Sequence, residues 1–271
     1  MNAMKQLAEL FGFEWNSKIS SYAQFPAKFS ADFQILATDS AKAAKDMRGM
    51  IIVFGENHAD FPTLRLIAEA THKILEGQED IKIFIEGEKE HFCESRLWSF
   101  SLGIKNCEIL ERGSKYLARL DKLQAEALEK AKLCADVVGR DLGLELNEKL
   151  KASPWPTDYA EFVNTHYKSV SEGARLRLAY LIEDYNKAKA KWDEAQEKLM
   201  PKRDQHMASG IRQNRTIEGI NIVMTGGRHS KGLLENLKDL PCIFMTPHQV
   251  VAQFPRASLF NHTQPRQKTE F

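Results

Sequence analysis

The sequence predicts an α/β protein with a mostly parallel central sheet, flanking helices and a helical insertion. Three observations lead there. Short apolar runs recur at 50–54, 81–85, 220–224 and 242–245, and the first, continuous and unalternating, has the pattern of a strand buried on both faces. A stretch of helical period separates the first two, at the spacing of a β-α-β unit, which implies parallel pairing with a right-handed crossover. Between 143 and 200 the chain turns charged and helix-forming, which reads as an insertion into the α/β body.

Each element follows from local pattern. Residues 1–48 read as helical and irregular, with Leu7, Leu10, Phe11 and Phe13 as a docking patch. The run 50–54 ends at Gly55. Asp60 and Pro62 start a helix carrying Leu64, Ile67, Ile74 and Leu75, and Gly77 stops it. The run 81–85 ends at Glu86, and 107–110 reads as a short edge strand. A helix over 115–133 precedes 135–140 (ADVVGR), read as a third core strand ending at Asp141. Ser153-Pro154-Trp155-Pro156 breaks the chain. A wet helix over 171–200 then carries a narrow stripe of Leu176, Ala179, Tyr180, Glu183, Lys187 and Ala190. Pro201 ends it, and a further helix over 202–217 places Met207, Ile211 and Ile217 on one face. The run 220–224 is the fourth core strand and 242–245 the fifth, with Thr246-Pro247 opening a helix. The organisation is therefore a segment 1–48, an α/β core over 49–142 and 201–255, an insertion over 143–200 and a polar tail over 256–271.

Composition bounds the partners. The chain has 271 residues, 43% hydrophobic, enough for a sizeable core. Lys and Arg number 38 against 37 Asp and Glu, so no global basic field exists and nucleic acid is not the expected partner. Lys5, Glu9 and Glu14 interrupt the first residues, and no apolar run reaches signal-peptide or transmembrane length. The expectation is a soluble protein, cytoplasmic or secreted into a host cell without a cleaved leader. Cys93, Cys107, Cys134 and Cys242 are widely spaced, as buried thiols would be rather than a disulfide framework or zinc knuckle.

Ionisable residues fall where the strands end. Glu56, Asn57 and His58 follow the first, Glu86 and Glu88 the second, and Arg140 and Asp141 the third. Arg228 and His229 follow the fourth, and His248 the fifth. Open parallel sheets place function at these carboxyl ends. Packing would favour uncharged residues there, so the recurrence points to a site built from Glu56, His58, Glu86 and His229. Such a set can share protons near neutral pH, activate water, polarise a carbonyl or hold a divalent ion such as manganese or zinc. Gly55, Gly226 and Gly227 let the backbone turn there. Glu86 is equally suited to a structural ion pair with Arg203 or Arg140. Glu88, His206 and His248 are lesser candidates, and His72 and His91 read as solvated. No serine or cysteine nucleophile motif such as GxSxG occurs.

The run IIVFGENHADFPTLRLIAEA resembles the GExH strand–turn–helix of the superfamily that holds erythromycin-esterase-like, ChaN-like and Tiki/TraB proteins. KRDQHMASGI, IKIFIEGE, ADVVGRDL and NIVMTGGRHSKGLLENL resemble further blocks of it, in the same order, over about half the chain. One branch holds the Ras/Rap-cleaving endopeptidase domain of multifunctional bacterial toxins, and Glu56, His58, Glu86 and His229 match its site in type and order. The resemblance implies a hydrolase, a peptidase or esterase, acting on a protein or small-molecule substrate, with a toxin-like effector as one form. Glu56 or His58 would be the base, His229 would stabilise charge or protonate the leaving group, and Glu86 would orient an imidazole. Arg203, Asp141, Glu88 and Arg228 would support substrate or oxyanion. That branch works without metal. The alternative is a haem- or metal-binding protein of the ChaN-like type, with His229, His248 and Tyr116 as candidate ligands; the lipoprotein signal of that branch is missing here.

Overall fold

The computed structural model describes residues 3, 5, 6, 33–56, 80–87 and 107–247, with backbone alone at Phe33, Gln34, Glu56, Thr246 and Pro247. The patch over 7–13, the helix over 60–77 and the polar tail lie outside the described residues. The chain divides into two compact units, one ending at Leu117 and resuming at Leu199, the other spanning Ala118–Lys198.

The first unit is α/β. Its strands are β1 (Phe33–Ala37), β2 (Ile51–Glu56), β3 (Ile81–Ile85), β4 (Cys107–Ile109), β5 (Ile220–Gly226) and β6 (Cys242–Pro247), in the order β1-β6-β2-β5-β3-β4. All neighbouring pairs are parallel except β1 with β6. The mostly parallel sheet read from the sequence is present, with two differences. First, β2 and β3 are not partners. β5, from far along the chain, lies between them and pairs with both. Second, residues 33–37 form an antiparallel edge strand in a segment read as helical and irregular, followed by the short helix α1 (Asp39–Ala43). Thr38 anchors that edge. Its hydroxyl donates to Leu240 O at 2.6 Å and accepts from Cys242 N at 3.0 Å and Ala41 N at 3.2 Å.

Alternate residues along each strand enter two separate cores. Ile52, Phe54, Ile83, Ile85, Ile222 and Met224 lie on one face with Ala41 and Met47. Ile51, Val53, Phe84, Val223 and Phe244 lie on the other with Met207, Ala208, Ile211, Leu233 and Leu237. Both faces are largely apolar, with Lys82 and Asn221 as exceptions, which is why the strands read as mainly apolar runs. Each large aliphatic side chain so buried contributes roughly 1.5–3 kcal/mol.

The second unit is helical and corrects three readings. Residues 135–140 are not a strand. They lie inside α2 (Lys115–Leu142), where Ala131, Cys134, Ala135 and Val138 share one buried face. A short apolar run does not distinguish a strand from a buried helical turn, and here tertiary packing chose the helix. After α3 (Glu148–Ala152) and α4 (Pro156–His166), the 43-residue α5 (Glu172–Asn214) runs through Pro201 instead of ending there. Proline removes one backbone donor. The burial of Leu199, Arg203, Asp204, Met207 and Ala208 holds the helix on its far side, and Ile217 lies beyond it, exposed. Third, the dry stripe of α5 is Ala174, Leu178, Ile182, Tyr185, Ala188, Trp192 and Ala195, while Leu176 and Tyr180 of the expected stripe are 64% and 77% exposed. The core of this unit joins α2, α4 and α5 through Cys134, Tyr159, Val163, Leu178 and Tyr185. The last element, α6 (Ser230–Asn236), returns to the α/β unit; Thr246 and Pro247, read as a helix start, instead complete β6.

Candidate active site

Three strands end side by side at one rim. In the sheet register Glu56 lies opposite Gly226, and Ile85 lies opposite Met224. Glu86 extends the β3–β5 pairing by one step, its N–H donating to Met224 O at 3.0 Å. Its side chain therefore emerges beside Thr225 and Gly226. One carboxylate oxygen accepts from Thr225 Oγ1 at 2.9 Å and from Gly226 N at 2.5 Å. The other accepts from Arg203 Nη2 at 2.8 Å and lies 3.0 Å from His229 Nε2. Four polar partners surround this single, largely buried carboxylate.

Arg203 and Asp204 reach this rim from α5. Met207, Ala208 and Ile211 form the stripe of that helix that packs on the sheet. Arg203 and Asp204 precede Met207 and Ala208 by four residues, so they continue the same stripe one turn further. Arg203 also binds Glu111, which follows β4, through Nε at 2.6 Å and Nη2 at 2.7 Å. Glu111 is fully buried. This fork-to-carboxylate pairing is the strong geometry for an ion pair, and leaving either partner alone in the interior would be costly. Burial opposes the guanidinium charge, but the bonds to Glu111 and the charges of Glu86 and Glu111 prevail and hold Arg203 above its ordinary pKa.

His229 closes the network. It ends a 3-10 turn, Gly227–His229, between β5 and α6. Its Nδ1 lies 2.5 Å from Asp204 Oδ1 and its Nε2 faces Glu86. Both nitrogens face carboxyl groups, and a ring that donates to both of them is an imidazolium. Burial by itself would lower the pKa, but the Glu86 charge and the hydrogen bonds that the ring donates to Asp204 and Glu86 outweigh it and raise it to about 9. His229 is therefore a buried cation at neutral pH. The cluster joins three acidic side chains, Glu86, Glu111 and Asp204, to two basic ones, Arg203 and His229.

Of the residues singled out from sequence, Glu86, His229 and Arg203 meet, and the Glu86–Arg203 pair is the ion pair foreseen for Glu86. The backbone of Glu56 stands at the same rim. The Glu56 carboxylate, His58, Glu88 and His248 lie outside the described residues. Arg228 is on the His229 turn with its side chain exposed, and His206 is exposed on α5. Asp141 is a correction. It lies at the end of α2 in the helical unit, where its carboxylate accepts from Ser171 N at 2.7 Å and Ser171 Oγ at 2.6 Å, fastening the start of α5. Those bonds hold its pKa below the ordinary value. What is corrected is the strand expected to end at Asp141, which is the end of a helix. Tyr116 is half-buried on α2, with Lys115 Nζ 5.4 Å from its ring centroid.

Asp204 and Glu111 were missed, although both left a signal. Glu111 follows the 107–110 run, as Glu86 follows 81–85, and Asp204 lies one turn before Ala208. Among the described residues no group of three or more His, Cys, Asp or Glu is arranged to hold a metal ion. The donors present are committed to one another, and an imidazolium has no lone pair to offer. No helix among the described residues is long and apolar enough to cross a membrane. Comparison with models of known protein families, with curated proteins and with solved structures finds no match.

Proposed function

We propose that this chain is a hydrolase that activates water for amide or ester cleavage at the rim where β2, β5 and β3 end. The observation that carries the proposal is the arrangement Asp204–His229–Glu86, an imidazolium held between two carboxylates at the carboxyl edge of a parallel sheet. Burying charges this densely is unfavourable for packing alone, and strongly perturbed groups concentrate at working sites. The order of the motifs that resemble the erythromycin-esterase-like superfamily supports the same reading. So does the match of Glu56, His58, Glu86 and His229 to its endopeptidase branch.

In this reading His229 is an acid and a positive charge, not a base, below about pH 9. The base is assigned to Glu56 or His58, immediately after β2. It takes a proton from water as the water oxygen bonds to the substrate carbonyl carbon. The negative charge that develops on the carbonyl oxygen is stabilised by the imidazolium. As the C–N or C–O bond breaks, the Nε2 proton passes from its bond with Glu86 to the leaving atom. Glu86 then holds the ring ready for reprotonation. Haem ligation by His229 needs a ring lone pair that an imidazolium does not offer, which favours the hydrolytic reading over the haem-binding one. A protein substrate, and with it an effector role, follows the endopeptidase resemblance.

The test is turnover of fluorogenic peptides and p-nitrophenyl esters by the wild type and by Glu86→Gln, His58→Ala and His229→Gln. Each substitution is expected to lower kcat by about 10²-fold or more. Undiminished turnover in all three would end the proposal.

A further inference from the structure

We infer that Asp204 is the positioning residue for His229, and that Gly232 must be glycine because the Asp204 carboxyl occupies the space of its missing side chain. The inference rests on the hydrolytic reading only for its functional meaning; the geometry stands apart from it. A Cβ placed on Gly232 would lie 1.8 Å from Asp204 Oδ2, 2.4 Å from Cγ and 2.9 Å from Cβ. These are distances no real side chain tolerates. Asp204 is short, buried and tied to His229, so it has little freedom to retreat.

The glycine is not explained by backbone conformation. Among the described residues the glycines with positive φ are Gly49, Gly87, Gly113 and Gly143, and Gly232 lies inside α6 with ordinary helical geometry. Glycine in a helix costs about 0.5–1 kcal/mol relative to alanine. Close approach of the Asp204 carboxyl offsets that cost. The consequence is directional. α6 begins one residue after His229, so the glycine brings the turn that carries His229 against α5 at Asp204. The carboxyl then fixes Nδ1, and the ring presents Nε2 to Glu86 at the rim. Asp204 bonds His229 and does not touch the reacting position, so it acts through the imidazole. Among the described residues the charged groups around that ring are Glu86 from the end of β3 and Asp204 and Arg203 from α5, with Glu111 behind Arg203.

A double-mutant cycle on the full-length protein tests this, with His229 followed by NMR across a pH titration and turnover followed in parallel. Gly232→Ala and Asp204→Asn are each expected to lower the pH at which His229 titrates by about one unit or more. Adding Gly232→Ala to Asp204→Ala should move it no further, because the residue that glycine accommodates has already been cut back. An unchanged titration in Gly232→Ala, or an equal shift from Gly232→Ala in both backgrounds, would overturn the inference. If Gly232→Ala does not fold, the near-isosteric Asp204→Asn decides alone: a His229 titration as in the wild type refutes the positioning role. The two readings fail separately. A wild type without turnover whose His229 shifts as described refutes the hydrolase and supports the positioning. Turnover with an immobile His229 titration does the reverse.

Discussion

His229 shows how a residue that ordinarily switches near pH 6.5 is locked in one state. Burial works against its charge, yet the Glu86 charge and the Asp204 and Glu86 hydrogen bonds hold its pKa at about 9. The folded value exceeds the unfolded one, so the contribution to stability is present in full below about pH 6.5 and is lost as pH rises through about 9. Urea midpoints measured from pH 6 to pH 10 should fall across that window, and in His229→Gln that part of the fall should vanish. Removing Glu111 should be severe for a different reason. Its truncation leaves Arg203 buried without its fork partner, and Glu111→Ala should destabilise by roughly 3–5 kcal/mol in denaturant melts. Glu86, His229 and Arg203 were legible in the sequence because each stands directly beyond a recognisable apolar run or on a helix with a clear stripe. Asp204 and Glu111 obey the same rules. They were passed over because an acid next to an arginine, or after a three-residue edge strand, looks like ordinary surface until the packing is known.

At the level of elements, the runs that became β2, β3, β5 and β6 were legible because apolar residues dominate both of their faces, with Lys82 and Asn221 the polar interruptions. The reading failed where local pattern and tertiary packing disagreed. ADVVGR has the look of a strand, but its Cys134, Ala135 and Val138 neighbourhood is spaced for a helix that meets Tyr159 and Leu178. Strand order was equally hidden, since nothing local to β2 or β3 announces that β5 inserts between them. Pro201 has the look of a terminator and is carried inside α5. Its exposed position and missing donor make it an unfavourable helical residue, about 3 kcal/mol worse than alanine in an unconstrained helix. Pro201→Ala should therefore raise the midpoint of thermal unfolding, read by circular dichroism at 222 nm. A lowered midpoint would mean that the helix is built around the proline.

For the molecule as a whole, the sheet converts sequence distance into proximity. Residues near positions 56, 86, 111, 204 and 229 are brought to one carboxyl edge by three adjacent parallel strands, an edge strand and one turn of a packed helix. Each unit has its own core, and the charged cluster belongs wholly to the α/β unit. The account stands or falls on whether that edge does chemistry or merely ties elements together. The most direct measurement is turnover of a peptide or ester substrate by the Glu56→Gln/His58→Ala double variant against the wild type, compared at equal folded fraction. The account predicts a loss of about two orders of magnitude or more in kcat. Equal rates would contradict it and leave the cluster a structural clasp.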